Sequence, residues 1–359
     1  MYSELFKKFK RILITGGSGF IGGNLISKLL KSTSCEIFNI DKLGYASDET
    51  LIRRFIGLGN ENRYTFKQID LTNANALDNA IKEIKPNLVM HLAAESHVDR
   101  SIDGPKIFME SNIMGTFNLL QSSLNYYKTL ASSDKEDFLF HHISTDEVFG
   151  SLGPIGSFNE KTPYEPRSPY SASKASSDHL VRAWNETYSL PTIITNCSNN
   201  FGPYQYPEKL LPVTIIKLFN LEPVPIYGDG QNVRDWLFVD DHVNALMLAA
   251  AKGSISETYC IGGHGEMTNK QLVYEVCKIM DQIRPKNSPH SNLIEYVKDR
   301  PGHDKRYSID PTKIKNELGW RVEKSFKEDL NYTVNWYLEN LEWCDQIMKR
   351  QKIERKGTL

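Results

Sequence analysis

The sequence predicts an α/β protein: a doubly wound parallel sheet carrying a smaller, discontinuous α/β lobe. Three observations carry this. Short apolar, β-prone runs alternate with helical stretches along most of the chain. A glycine-rich turn, Gly16 to Gly22, joins the first such run to the first helix. Beyond residue 198 proline and aromatic density rises and the strands shorten, which marks a segment of different build. Repeated βαβ order implies right-handed crossovers and a parallel sheet. Ligands of such sheets lie beyond the carboxyl ends of the strands.

Composition narrows the function classes. A chain of 359 residues can bury a large core and still carry a side lobe. Its 43 basic and 44 acidic side chains leave a net charge of −1, which argues against a nucleic-acid-coating or membrane-hugging surface. The five cysteines, at 35, 197, 260, 277 and 344, are scattered and contain no Cys-x-x-Cys, so they read as reduced structural thiols. The nine histidines show no ligand spacing, and no metal is expected. The polar, basic start and the absence of an apolar run of about 18 residues predict a soluble, cytoplasmic protein.

The elements follow in order. Arg11 to Thr15 is the first strand, and a helix runs from the glycine turn to about Lys31. Gly16, Gly19 and Gly22 let the backbone approach a pyrophosphate, and the helix start offers N–H groups and a positive dipole end to that anion. The second strand, Cys35 to Ile40, ends in Asp41, nineteen residues after Gly22, where a carboxylate accepts hydrogen bonds from adenosine ribose hydroxyls. The first domain is therefore a dinucleotide-binding fold of the Rossmann type, and Asp41 favours NAD. The third strand, Tyr64 to Gln68, leads to Asp70 and Leu71, a plausible adenine contact. A helix over 74–84 precedes a fourth strand, Leu88 to Ala94, whose small Ala93 and Ala94 let the dinucleotide lie against the backbone. A long helix is expected from Gly104 to about Leu130.

Phe138 to Ile143 reads as a buried strand emptying into Ser144-Thr145-Asp146-Glu147. Twenty-three residues after Glu147 stands Tyr170, with Lys174 one helical turn further along a helix from Ser168 to Tyr188. An ammonium beside a phenol favours the phenolate, so Tyr170 is expected to have a lowered pKa and to take a proton from a substrate alcohol while hydride leaves its carbon. Thr145 can hold the same hydroxyl. Two adjacent carboxylates in a desolvated pocket are pushed to different pKa values, one acid and one base. Asp146 and Glu147 thus supply what β-elimination requires.

After the strand Thr192 to Cys197 come the loops of the second lobe. Asn199 and Asn200, then Glu208-Lys209-Leu210, Pro225 with Tyr227, and Arg234 offer amides, stacking rings and a guanidinium fork to a sugar nucleotide. Arg300 to Tyr307 is a second polar cluster placed for a diphosphate. A helix over 239–252 and a strand over 258–261 return to the main sheet. The expected division is 1–198 for the dinucleotide domain, with 237–260 returning to it, 199–236 and 261–340 for the substrate lobe, and 341–359 as a basic, solvated tail.

From Ile12 to about Leu338 the chain resembles the dTDP-glucose 4,6-dehydratases of the extended short-chain dehydrogenase/reductase superfamily. The glycine turn and Tyr170–Lys174 mark the superfamily; Thr145-Asp146-Glu147 narrows it to hexose dehydratases. Asn199-Asn200, Glu208-Lys209-Leu210 and Arg300 to Tyr307 resemble the dTDP-glucose branch. Gly44, Phe149 and Phe201 depart from the pattern at cofactor-loop or packing positions.

The resemblance implies three stages: oxidation at C4 by Tyr170, Thr145, Lys174 and NAD; loss of water across C5 and C6 by Glu147 as base and Asp146 as acid; and return of hydride to C6. It extends the cofactor contacts to Phe20, Ile21, Lys42, Leu43, Leu92, Ser96, Ser111 and Asn200. Substrate contacts extend to Ser96, Asn269, Arg300, Asp304 and Tyr307, and a homodimer is implied through the helices over 104–130 and 168–188. A GDP-mannose or UDP-sugar dehydratase would keep the Asp-Glu pair with another base pocket. A C4 epimerase would not need that pair, and a non-catalytic nucleotide sensor would need none of these groups.

Overall fold

The computed structural model describes residues 2–48, 60–299 and 302–351. The chain forms strands β1 (Arg11–Thr15), β2 (Glu36–Asp41), β3 (Tyr64–Gln68), β4 (Leu88–His91), β5 (Leu139–Thr145) and β6 (Thr192–Cys197). They are followed by β7 (Asn199–Phe201), β8 (Val224–Tyr227), β9 (Val233–Phe238), β10 (Thr258–Ile261), β11 (Glu266–Thr268) and β12 (Ile294–Val297). Seven of these make one sheet in the order β10-β6-β5-β4-β1-β2-β3, and every pairing in it is parallel. Chain order reverses between β1 and β4, so a crevice opens beyond their carboxyl ends.

Side-chain alternation sorts this sheet between two cores. On β1, Ile12 and Ile14 face one core and Leu13 the other; on β4, Leu88 and Met90 part from Val89 in the same way. The first core takes Leu25, Ile26 and Leu29 from the helix Phe20–Ser32 and Val243 and Leu246 from Val239–Lys252. The second takes Leu77 and Ile81 from Ala74–Ile84, Leu119 and Leu120 from Gly115–Thr129, and Val181 from Pro169–Tyr188. Central strands β5 and β6 are buried along their whole length, as sheets covered on both faces require.

Beyond β6, β7, β9 and β11 form a three-stranded sheet, and β8 pairs in parallel with β12. The helices Asn269–Ile283 and Phe326–Glu339 send Leu272, Val276, Leu330 and Val334 into the first core. The lobe and the main sheet therefore share that core.

Three sequence expectations change. The fourth strand stops at His91 rather than Ala94, because Leu92 and Ala93 turn their N–H groups to the Thr15 carbonyl and hydroxyl. The helix expected over 104–130 is broken into Val98–Asp103, Pro105–Phe108, a π-helical turn Met109–Met114, and Gly115–Thr129. Pro105 restarts the chain as a helix, and the π turn accommodates Asn112, whose side chain is turned to the loop after β4. The tail is not merely solvated: Leu341–Gln351 is a helix that buries Trp343, Cys344 and Ile347. Among the described residues no helix is long and apolar enough to cross a membrane, and no cluster of side chains could hold a metal ion.

Candidate active site

The glycine turn is built for close approach. Gly16 has φ 73°, and a Cβ there would lie 2.7 Å from the Ala93 Cα; at Gly22 it would lie 2.3 Å from the Gly16 carbonyl oxygen. The helix Phe20–Ser32 begins at Gly19 with no side-chain cap, which leaves its first N–H groups and dipole end to an anion. Asp41, at the end of β2, accepts from Ser18 N at 3.1 Å, Leu43 N at 2.8 Å and Ser47 Oγ at 3.0 Å, so it fastens the turn to the loop beyond it. Burial pushes its carboxyl up. Lys42 is tied within the chain, to Glu95 Oε1 at 2.7 Å and Ser111 Oγ at 2.8 Å.

The end of β5 carries Thr145, and Asp146 and Glu147 follow it directly. Thr145 caps a single 3-10 turn, Asp146–Phe149, accepting from Glu147 N at 3.3 Å and donating to Asp146 Oδ1 at 3.2 Å. Asp146 is 1 % exposed, and its Oδ2 has no hydrogen-bond partner among the described residues. Burial, and then the Glu147 carboxylate, push its carboxyl well above the usual range, which favours the protonated acid. Tyr170 and Lys174 lie on Pro169–Tyr188, which starts at Ser168, a cap accepting from Ser171 N. Lys174 Nζ donates to the Ile143 carbonyl at 2.9 Å.

The expected lowering of the Tyr170 pKa is not met. Burial raises the phenol well above its ordinary value, Glu147 raises it further, and the hydrogen bond with Thr145 opposes them. The physical reason is direction: the ammonium points at a β5 carbonyl, and burial lowers its own pKa as well.

One cleft is lined by both halves. It gathers Gly16, Gly19, Phe20, Ile21, Gly22, Asp41, Lys42, Asp70, Leu71, Leu92, Ala93, Ala94, Ser96 and Ser111 with Thr145, Asp146, Glu147, Tyr170, Lys174, Asn199, Asn200, Glu208 and Lys209. Leu43, Leu210, Pro225, Tyr227, Arg234, Asn269, Asp304 and Tyr307 are not part of its lining. Arg300 lies outside the described residues. Arg234 is buried, donating to the carbonyls of Val233 at 2.7 Å and Asp304 at 3.0 Å, with its guanidinium 4.3 Å from the centre of the Tyr307 ring. Tyr307 donates to Asp304 Oδ2 at 2.5 Å. This cluster is nonetheless close enough for its positive charge to act on Asp146.

Sequence reasoning passed over several residues. Asn112 exchanges hydrogen bonds with the Glu95 backbone at 2.8 and 3.0 Å and donates to Ser173 Oγ at 2.8 Å, latching the cleft wall to the Tyr170 helix. Reading 104–130 as one regular helix hid it. Tyr45, Glu95, Gln205 and Tyr206 also line the cleft. The Arg100 guanidinium stacks on the Tyr45 ring at 3.7 Å. No periodicity in the loops marks these. His91 is engaged by Thr15 at 2.7 Å and Thr116 at 2.9 Å.

A parallel sheet with this reversal point, an uncapped glycine turn and a Tyr–Lys pair at its carboxyl edge define an enzyme of the short-chain dehydrogenase/reductase type. The family model described as GDP-mannose 4,6 dehydratase matches residues 13–333. A dTDP-glucose 4,6-dehydratase of Haemophilus influenzae is 50% identical, covering 92% of this chain and 98% of that one. One from Salmonella typhimurium is 48% identical over 94% of this chain and 95% of its own. The Streptomyces venezuelae dTDP-glucose 4,6-dehydratase, solved with NAD bound, superimposes with a TM-score of 0.84 at 40% identity, covering 94% of this chain and 99% of that chain. The chain belongs to the family of sugar-nucleotide 4,6-dehydratases that these proteins represent.

Proposed function

We propose that the protein dehydrates dTDP-glucose to dTDP-4-keto-6-deoxyglucose, using one bound NAD that is regenerated in each turnover. The observation that carries this is the placing of Asp146 and Glu147 at the end of β5, in the same cleft as Tyr170, Lys174 and the glycine turn. The residues fit the cofactor: the cradle at Gly16 and Gly22 has no room for a Cβ, and the helix start beside it is uncapped. Gly16, Gly19 and Gly22 would hold the pyrophosphate, Asp41 the adenosine ribose, and Asp70 and Leu71 the adenine side. Lys42, tied to Glu95 and Ser111, is not offered to a 2′-phosphate.

When bound, NAD accepts hydride from C4 and gives it back to C6. The side chains move the protons. Tyr170, as phenolate, takes the proton of the 4-hydroxyl, and its hydrogen bond with Thr145 is the influence that favours that form. The new 4-ketone acidifies C5–H, which Glu147 removes, and Asp146, whose burial favours the protonated acid, gives its proton to the leaving C6 hydroxyl; as hydride returns to C6, Glu147 gives its proton back to C5. Tyr170 ends a turnover with a proton gained and Asp146 with one lost. Thr145 hydrogen-bonds with both, so its hydroxyl is a route by which the pair resets.

Arg234, Asp304 and Tyr307, with Glu208, Lys209 and Arg300, are the proposed diphosphate and sugar contacts. The lobe of 199–236 and 261–340 is proposed as the substrate domain. A cytoplasmic homodimer is part of the proposal; in support of the dimer, the helices over 104–130 and 168–188 expose large apolar side chains, Ile107 at 48 %, Met114 at 49 % and Tyr188 at 45 %. Incubation with dTDP-, UDP- and GDP-sugars, watching for the alkali-induced ultraviolet absorbance of a 4-keto sugar, tests the reaction. Turnover of a UDP- or GDP-sugar in preference to dTDP-glucose would overturn the substrate.

A further inference from the structure

Beneath the reacting groups lies an acid that the chemistry above does not use. Asp178 stands four residues after Lys174 on Pro169–Tyr188, so the two side chains share a helix face. It is wholly buried and does not line the cleft. Its carboxylate nevertheless draws in donors from three directions. His142 Nε2, on β5, meets Oδ1 at 3.1 Å. The Tyr164 hydroxyl donates to Oδ2 at 2.7 Å, and itself accepts from Arg182 at 2.8 Å. The Asn196 amide, on β6, donates to Oδ2 at 3.2 Å and to the Thr145 carbonyl at 3.1 Å. One side-chain amide therefore joins Asp178 to the backbone of the residue that caps the catalytic turn.

Lys174 needs such a neighbour, since a buried ammonium is driven towards neutrality. The titratable groups that act on it or feel it are Asp178 on its own helix, His142 on β5, His91 on β4 and Cys197 on β6. Burial holds both histidines neutral and pushes the Cys197 thiol far up. Asp178 is the carboxylate in this set. Burial opposes its ionisation, but His142, Lys174 and its other donors bring it down to about 2, so it is an anion at every working pH.

We propose that Asp178 is a positioning residue for the catalytic pair: an enclosed counter-ion that keeps Lys174 an ammonium and, through Asn196, fixes Thr145 against Tyr170. This rests on the reading of Tyr170 and Lys174 as the pair that handles the 4-hydroxyl proton.

The test uses the full chain loaded with NAD. Asp178→Asn keeps the shape and removes the charge; Asp178→Glu restores it. The alkaline limb of the kcat profile, where Lys174 loses its proton, should move to lower pH by about one unit or more in Asp178→Asn. KM should change less than about twofold, and Asp178→Glu should return the limb towards wild type. An unmoved limb in a folded Asp178→Asn protein overturns the proposal. Should that variant fail to fold, Tyr164→Phe and Asn196→Leu each leave the carboxylate and remove one tie. A lower kcat at unchanged NAD content supports the proposal, and an unchanged kcat in both overturns it. A wild type that does not turn over dTDP-glucose overturns the functional reading instead. The pH at which the Lys174 amine becomes open to reductive methylation, lower in Asp178→Asn, then decides the role of Asp178 by itself.

Discussion

Glu147 and Asp146 are neighbours in sequence with opposite proposed duties, and what distinguishes them in the structure is burial. Asp146 is 1 % exposed, whereas Glu147 is half-buried at the cleft wall. Glu147→Gln should preserve the shape of the site and remove the acceptor of the C5 proton. Loss of a positioned base costs about 10²–10⁴ in rate, so a single turnover with dTDP-glucose should show the absorbance of reduced cofactor rising and persisting. In heavy water the variant should exchange C5–H far more slowly than wild type. Tyr170→Phe should show little reduced cofactor at all. Normal product formation by Glu147→Gln would remove Glu147 from the base role. These five residues were legible because Thr145, Asp146, Glu147, Tyr170 and Lys174 are close along the chain or one helical turn apart. The raised phenol was not legible: spacing gives the nearness of an ammonium but not where it points, and here it points at the Ile143 carbonyl.

At the scale of the element, the glycine turn makes the sharpest demand on sequence. Gly22→Ala would set a Cβ against the Gly16 carbonyl and Gly17 Cα, both backbone, so neither can yield cheaply. Overpacking of this kind costs on the order of 1–3 kcal/mol. The variant should lose its bound dinucleotide and melt lower, as a thermal scan and analysis of the heat-released nucleotide would show. NADP rather than NAD as the main nucleotide released from wild type would sink the reading of Asp41. Strands β1, β3 and β10 and the helix Val239–Lys252 were legible to the residue, because apolar runs bounded by turn residues leave little choice of register. The π turn at Met109–Met114 was not, since its cause is tertiary: Asn112 reaches across to Glu95 and Ser173. Arg234 was read as a guanidinium fork for a sugar nucleotide; its engagement with Asp304 and Tyr307 across seventy residues of chain was not legible.

For the whole molecule, stability should fall as pH rises from about 4 to about 7. Asp329 is buried beside Asp241, and burial followed by the Asp241 charge raises it from 3.8 to about 7; burial likewise raises Asp241 to about 6. Their folded values exceed their unfolded ones, so the stability they contribute is present below about pH 4. It is lost as pH rises through 6 to 7. Asp329→Asn should therefore melt higher than wild type at pH 8 and no higher at pH 4; an equal shift at both would show that charge is not the cause. Sedimentation should give a dimer, and Met114→Glu, placing a charge on the exposed apolar face, should shift it towards monomer at unchanged fold.

The core shared by sheet and lobe has a further consequence, for traffic. Leu272, Val276, Leu330 and Val334 pack into the same apolar mass as Ile12 and Ile14, so the lobe cannot swing away without exposing it. The loop beside the glycine turn is anchored too: Trp343 donates to Asp48 at 2.7 Å, and Asp41 holds Ser47. A dinucleotide seated in the cleft would thus be bordered by parts tied into that core. Dilution into labelled NAD should exchange the resident molecule over many turnovers rather than one, and Trp343→Ala, by loosening that anchor, should quicken the exchange more than it slows the reaction.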